Sequence, residues 1–380
     1  MTYVGIDLEQ FLRDPYGSGI QRVLQYLAIE WPADIASADF VVPVEDQFAL
    51  LTPSQAAQAL SIPFAPREPG SDLRAAVAAS IAESGATRVK AGDLVALYDT
   101  WLLPEVSYLP AVLERFALMS RCMPTTMIGY DTLPMSEPAN YRFRPGTAGD
   151  VSEYFRLLAT ADSVVCISAY ARDSILGRLR RDPALPISVA HPGGDHLDVR
   201  TGQPPLRPTF LRLGTMEARK RPVEILQGFT AAVGAGAVAD LVFVGGPSAS
   251  DDAINTAVRA AADSDLPVTW IVGATDDEVR DLINRASVFV SVGVEGYGIP
   301  VLESIRQGTP VLYDGIQPAG DVMAGHGARR VPAMTQDELV RMFVEYSAPG
   351  TVAGLTAEID PDAVPTWADF ARDVARACVT

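Results

Sequence analysis

Lysine is almost missing from this 380-residue chain. Lys90 and Lys220 are its only two, and arginine supplies the rest of the positive charge. Cysteine and histidine are as scarce. Cys122, Cys166 and Cys378 are too scattered for a disulfide framework or a zinc site. His191, His196 and His326 contain no HExxH-like pair, so no metal is expected. No apolar run approaches the length that spans a bilayer. The opening residues MTYVGIDLEQF lack the basic-then-apolar layout of a signal peptide, and a cytoplasmic protein is expected. The net charge of −17 counts against nucleic acid as the main partner, because phosphate neutralisation needs a basic surface. With no basic amphipathic anchor, membrane association is expected to be peripheral at most.

What is present is a repeated alternation of apolar strands and amphipathic helices over a length suited to two domains. TYVGID reads as a strand. The turn-rich stretch Asp14–Gly19 follows, and then Ile20, Val23, Leu24 and Leu27 at helical spacing. Strand, glycine-containing loop and helix open a Rossmann-like unit. Further strands are predicted at Asp39–Val44, Leu94–Tyr98, Thr126–Gly129 and Ser163–Ile167, with a helix over Glu105–Cys122. The stretch VRTGQPPLRP, rich in Pro and Gly, marks a linker. Beyond it the pattern restarts with PTFLRLGT, LVFVGG, VTWIVG, SVFVSV and PVLYD as strands. The expected organisation is an α/β protein with two doubly wound Rossmann-like domains, 1–200 and 201–362. A closing helix in 363–380 is expected to pack back on the first domain.

Two motifs carry chemistry. In VEGYGIPVLE, Glu295 and Glu303 lie eight positions apart and bracket a turn, Gly296-Tyr297-Gly298, between a buried strand and a helix. Small residues let a ligand approach the backbone, and the new helix offers free N–H groups to an anion. The bland alternative is a capped helix with two solvated glutamates, which would win without the GYGIP insert. In GTMEARKR, three consecutive cations, Arg219, Lys220 and Arg221, follow a strand end, where parallel sheets bind ligands. A solvated charge run is the commoner fate of such a triplet. In a chain with two lysines, a diphosphate clamp is the better reading. His191 and His196, in HPGGDHL, read as part of a polar linker turn. Arg172, Arg178, Arg180 and Arg181 read mainly as cations favoured near a helix C-terminus. Arg142 and Arg144 fall in a loop where an acceptor contact is conceivable.

EGYGIPVLE and GTMEARKRPVEILQGF resemble the donor-site motifs of retaining glycosyltransferases of the GT-B fold, family four. ATADSVVCISAYARDSIL and GYGIPVLESIRQGTPVLYDG extend the resemblance, which runs from about Ala159 to Ala328. It implies two Rossmann-like domains facing a cleft, with a nucleotide-diphosphate sugar as substrate and neither cofactor nor metal. By the resemblance, Arg219 and Lys220 hold the leaving diphosphate and Glu303 the ribose. Glu295, Gly296, Tyr297 and Gly298 hold the sugar, and Val272 and Gly273 lie near the base. Gly17, Ser18 and Gly19 direct backbone N–H groups at the diphosphate, with Arg22 on the next helix. This chain departs from the pattern in three places. Thr215 replaces an Arg, Tyr130-Asp131 replaces His-Asp beside the sugar, and Asp321 replaces a Glu. The implied activity is retaining transfer of a hexosyl group to a hydroxyl of a glycan, lipid-linked or small-molecule acceptor. YDTLP is similar to mannosyltransferases, which makes GDP-mannose the first donor to consider. The alternatives are a relative with other chemistry, an epimerase or pseudo-glycosyltransferase, or an inactive nucleotide-sugar-binding partner protein.

Overall fold

The computed structural model describes every residue except 66–70, 139–140, 142–145, 200–206, 349 and 380. The chain divides into two compact units. Unit 1 comprises Met1–Thr132, Phe143–Gly193 and Thr366–Thr380, and unit 2 comprises Leu133–Arg142 and Gly194–Pro365. This division falls upstream of the 200/201 boundary read from the sequence, which itself lies outside the described residues, as do Arg142 and Arg144.

Unit 1 is built on one eight-stranded sheet. In chain order it contains β1 (Thr2–Asp7), helix α1 (Gly19–Ile29), β2 (Ala36–Val44), β3 (Gln47–Leu51), β4 (Thr87–Lys90) and β5 (Thr100–Leu103). These are followed by β6 (Thr125–Gly129), β7 (Ser163–Cys166), helix α2 (Ala169–Leu179) and β8 (Ile187–Val189). The spatial order is β4-β3-β2-β1-β5-β6-β7-β8. All neighbours run parallel except the β2–β3 and β3–β4 pairs. Two residues, Glu45 and Asp46, turn β2 into β3, and Glu45 adopts φ +57° to do so.

Two boundaries differ from the sequence reading. Leu94–Leu97 is a single helical turn, and the strand begins only at Thr100. DLVALYD has too few residues for its apolar spacing to separate the two states. TWLL, buried at every position, takes the sheet place beside β1 instead. The helix expected over Glu105–Cys122 is confined to Pro110–Met119, with Pro110 in its first turn, where the missing N–H costs nothing.

The helix Trp367–Val379 belongs to unit 1. It buries Trp367, Phe370, Ala371, Val374, Ala375 and Cys378, a single stripe at helical spacing. Tyr26 of α1 stacks on Trp367 at 4.9 Å between ring centroids. Burial of each large side chain of this kind stabilises by roughly 1.5–3 kcal/mol.

Unit 2 contains β9 (Thr209–Leu213), helix α3 (Pro222–Gly234), β10 (Asp240–Val244), β11 (Val268–Ile271) and β12 (Val288–Val294). Helix α4 (Ile299–Arg306), β13 (Val311–Ile316) and β14 (Ala328–Arg330) follow. The sheet is wholly parallel, in the order β11-β10-β9-β12-β13-β14. Such a sheet is covered on both faces, so its strands are nearly continuous apolar runs. Phe210, Phe229 and Phe343 meet edge to face in the core beneath it. The strand order reverses direction between β9 and β12, so the crevice beyond their carboxyl ends is the natural ligand position. The two ends of this unit's longer segment are tied together: Gly194 N–H donates to Pro365 O at 3.0 Å.

Candidate active site

The basic motif and the first glutamate meet at that reversal point. After β9 the chain turns through Gly214 into a short 3₁₀ turn, Ala218–Lys220, pressed against the end of β12. The approach is close. A Cβ added at Gly293 would lie 2.1 Å from Arg219 O, and φ there is +107°. At Gly214 (φ +115°) a Cβ would lie 2.8 Å from Lys220 Nζ. Glycine at both positions lets the turn dock on the strand ends.

Glu295 follows β12 and receives three cations. Arg219 reaches its Oε2 at 2.8 Å and Lys220 its Oε1 at 3.2 Å, and an Arg212 nitrogen lies 3.7 Å from Oε1. Arg219 also donates to Val294 O at 2.7 Å and pairs with Glu217 at 2.5 Å. Burial by itself would raise the Glu295 pKa. Lys220, Arg219 and Arg212 outweigh burial and bring it down to about 2. Burial lowers the pKa of Lys220 and of Arg212 more than Glu295 raises them. Burial acts the same way on Arg219, but Glu295 and Glu217 prevail and raise it. Three cations and two carboxylates are thus gathered in a low-dielectric site with one positive charge in excess. Glu295 is a member of the cation cluster itself, not a carboxylate standing apart from it.

Arg212 was not singled out by its sequence context. The signal was there: one charged residue, near the strand's end, in the apolar run TFLRL. Arg221, the third cation of the motif, turns away from Glu295. It sits at φ +55° before α3 and pairs with Glu224 at 3.3 Å.

Gly296, Tyr297 and Gly298 form the turn into α4, with Gly298 at φ +106° as the residue before the helix. Tyr297 is buried, which raises its pKa. Gln317 supports the same strand end, donating to Gly293 O at 3.2 Å and accepting from Ser291 Oγ at 2.7 Å. Glu303 lies on α4, where its Oε1 is 3.0 Å from His196 Nε2. His196 is therefore a buried partner of a site residue, contrary to its reading as part of a polar linker turn. Thr215, Val272 and Gly273 are exposed at the ends of β9 and β11. Asp321 pairs with Arg330 at 2.7 Å and accepts from Tyr313 Oη at 3.1 Å.

The remaining predicted residues lie in unit 1: Gly17–Gly19 and Arg22 follow β1, beside the reversal between β1 and β5, and Tyr130 and Asp131 follow β6. One side chain organises the glycine loop. Gln21 Oε1 accepts from Tyr16 N–H and Gly17 N–H, both at 3.0 Å, and its Nε2 donates to Asp14 O at 2.8 Å and to Glu105 Oε1 at 3.4 Å. Gly17 N–H is thus engaged within the loop. Ser18 caps α1 by accepting from Gln21 N–H, and Gly19 is the first helical residue. Arg22 lies over the Phe64 ring at 4.4 Å. Tyr130 is buried, and its hydroxyl donates to Pro104 O at 2.8 Å, with Asp131 following it. Burial, opposed by Gln21 but reinforced by Asp14 and Asp7, pushes the Glu105 carboxyl up to about 8. Nearby, Arg115 clamps Asp7 through two bonds of 2.7 and 2.9 Å and reaches Glu9 at 3.0 Å. Arg181 is buried and donates to the carbonyls of Leu158, Ala159, Asp162 and Pro186, a structural role. Among the described residues no helix is long and apolar enough to cross a membrane.

The serotype-specific mannosyltransferase WbdA of Escherichia coli is 26% identical over 220 residues, 52% of this chain and 26% of that protein. The chain therefore spans only about a quarter of the length of the curated relatives it matches. HepE of Anabaena, solved with UDP-glucose, superposes with a TM-score of 0.66 at 12% identity, covering 99% of each chain. Sucrose-phosphate synthase from Thermosynechococcus elongatus gives 0.58 at 15% identity, covering 100% of this chain and 95% of that one. At these identities the likeness shows the fold, which is the GT-B architecture. The model of one family, described as family 4 glycosyltransferase in conflict systems, matches residues 147–376. The chain belongs to that family of glycosyltransferases.

Proposed function

We propose that this protein is a retaining hexosyltransferase that uses a nucleotide-diphosphate sugar, with GDP-mannose as the first donor to test. The observation that carries the reading is the buried cluster of Arg212, Arg219 and Lys220 around Glu295, at the reversal point of a parallel sheet. Cleaving a sugar–diphosphate bond places negative charge on the leaving oxygen and positive charge on the ring. Fixed cations in a water-poor site stabilise the first of these more than water does. Lys220 and Arg219 serve as the diphosphate clamp, with Arg212 behind them. The N-terminus of α4 after Gly298 adds a positive dipole end. Glu303 takes the ribose, and Val272 and Gly273 lie toward the base. Thr215 and the Gly296–Gly298 backbone contribute to the rest of the donor. A carboxylate in contact with two clamp cations keeps them charged and aimed until the diphosphate arrives, and this is the catalytic role proposed for Glu295.

The mannosyl preference is supported by the relatives, which are mannosyltransferases, and UDP-glucose is the rival donor because HepE was solved with it. For the acceptor side we propose Arg22, Tyr130 and Asp131. The acceptor proposed is a hydroxyl of a glycan, lipid-linked or small molecule. Its setting, biological conflict, is supported by the family's description.

The test is thermal stabilisation by a panel of nucleoside diphosphates and their sugars, for wild type, Lys220→Ala and Glu303→Ala. A ligand bound to the native state raises its melting temperature by mass action. Stabilisation by one nucleotide series, lost in both variants, supports the donor site. No stabilisation by any member sinks the transferase reading. NMR of the product anomer, once an acceptor is found, decides retention.

A further inference from the structure

We infer that His196 is a positioning residue for the nucleotide ribose: it fixes the Glu303 carboxylate and thereby sets the preference for ribose over deoxyribose. The inference rests on the donor reading of Glu303 and extends it to a residue outside both sequence motifs. His196 and Glu303 are 107 positions apart in the chain, yet Nε2 lies 3.0 Å from Oε1. The His196 side chain is 2% exposed and that of Glu303 12%. The imidazole therefore reaches the carboxylate from the protein side, while the carboxylate keeps an opening to solvent.

The segment that carries His196 is held against α4 by two further bonds. Arg306 Nε donates to Leu197 O at 3.2 Å, and Gln307 Nε2 donates to Asp198 O. Gly194, at the start of the segment, packs on the same helix: a Cβ there would lie 2.4 Å from Leu302 Cβ. The ring is thus placed by backbone anchors on both sides and is not free to follow a wandering carboxylate.

A glutamate on a helix surface samples several rotamers. One that must accept from two vicinal hydroxyls has to present its oxygens in a single plane. A hydrogen bond from His196 to Oε1 selects that plane before the nucleotide binds, so the ordering cost is not charged to binding. A deoxyribose lacks one of the two hydroxyls and gains less from the fixed carboxylate. A site built to hydrogen-bond a hydroxyl discriminates strongly against an analogue without it.

The experiment is calorimetric titration of UDP, GDP and their 2′-deoxy counterparts into wild type, His196→Ala, His196→Gln and Glu303→Ala. Wild type is expected to prefer the ribonucleotide of its base. His196→Ala is expected to lose about tenfold in ribonucleotide affinity with little change for the deoxynucleotide, so that the preference collapses. In His196→Gln, the side-chain N–H can still reach Oε1 and the preference is expected to return. Glu303→Ala should abolish it altogether. If Glu303→Ala abolishes the preference and His196→Ala leaves it intact, the positioning role is overturned and the donor reading stands. An equal loss for both sugars in His196→Ala and His196→Gln marks a purely structural residue and also overturns it. If Glu303→Ala changes nothing, or wild type binds none of the four nucleotides, the donor reading falls as well.

Discussion

Replacing Glu295 by Gln removes the one carboxylate shared by three buried or nearly buried cations. The shape is kept and the charge is lost. Arg212 is 3% exposed and Lys220 lies in the same pocket, so neither can recover full hydration in place. Breaking a buried ion pair from one side costs about 3–5 kcal/mol, because the surviving charge is left uncompensated. Arg219 keeps Glu217 as a partner, which places the cost toward the lower end of that range. At about 3–4 kcal/mol, with each kcal/mol worth about 2–4 °C for a unit of this size, a fall of roughly 6–16 °C in unfolding temperature is expected in scanning calorimetry. The pH profile supplies an independent check. The folded carboxyl titrates near pH 2 and an unfolded one near 4.5. Its contribution is therefore complete above about pH 4.5 and is lost as pH falls toward 2. Glu295→Gln should flatten that part of the acid unfolding curve. Added pyrophosphate should stabilise the variant more than wild type, because it returns negative charge to the same cations. A variant that melts within about 2 °C of wild type at neutral pH would refute the claim that Glu295 holds the cluster together.

Glu105→Gln should act in the opposite sense. The native carboxyl titrates near pH 8 and an unfolded one near 4.5, so its ionisation opposes folding increasingly across that interval. The variant is expected to be more stable than wild type at pH 8, by up to ~5 kcal/mol, and equal to it below pH 4.5, as read by urea unfolding at several pH values. Gly293→Ala should cost at least ~2 kcal/mol in the same assay, from a disfavoured φ and a clash with Arg219 O. Arg115→Met leaves Asp7 and Glu9 buried without their shared cation, and a loss of about 3–5 kcal/mol is expected at neutral pH, read by the same urea unfolding.

Unit 2 was legible because its signals are local. An apolar strand, a Gly-Tyr-Gly turn and a proline at the start of a helix specify the Glu295–Glu303 segment without reference to anything distant, and β12 and α4 lie where that pattern placed them. What escaped notice depends on contacts between remote residues. Arg212 reads as one charge in a strand until the sheet order sets β9 beside β12 and so brings it to Glu295. His196 reads as a turn residue until its segment folds onto α4. Unit 1 shows a different difficulty. β3 was missed because its hairpin turn uses Glu45 in a left-handed conformation, not the glycine or asparagine that would announce it. Leu94–Tyr98 reads as a strand because its apolar residues fit either period, and Leu94–Leu97 forms a helical turn. Tyr130 was expected beside the sugar, while the structure shows only that its proton is given to Pro104 O.

The bond between Gly194 and Pro365 has a consequence for how such a protein changes over time. The block from 194 to 365 leaves and re-enters the rest of the chain at neighbouring points. Both of its junctions lie outside the strands of its sheet. A recombination event that exchanged this block would cut no strand pairing of β9–β14 and would place both of its joints beside a single backbone bond. The block can then be traded as a unit, while the sequence of the rest of the chain drifts independently.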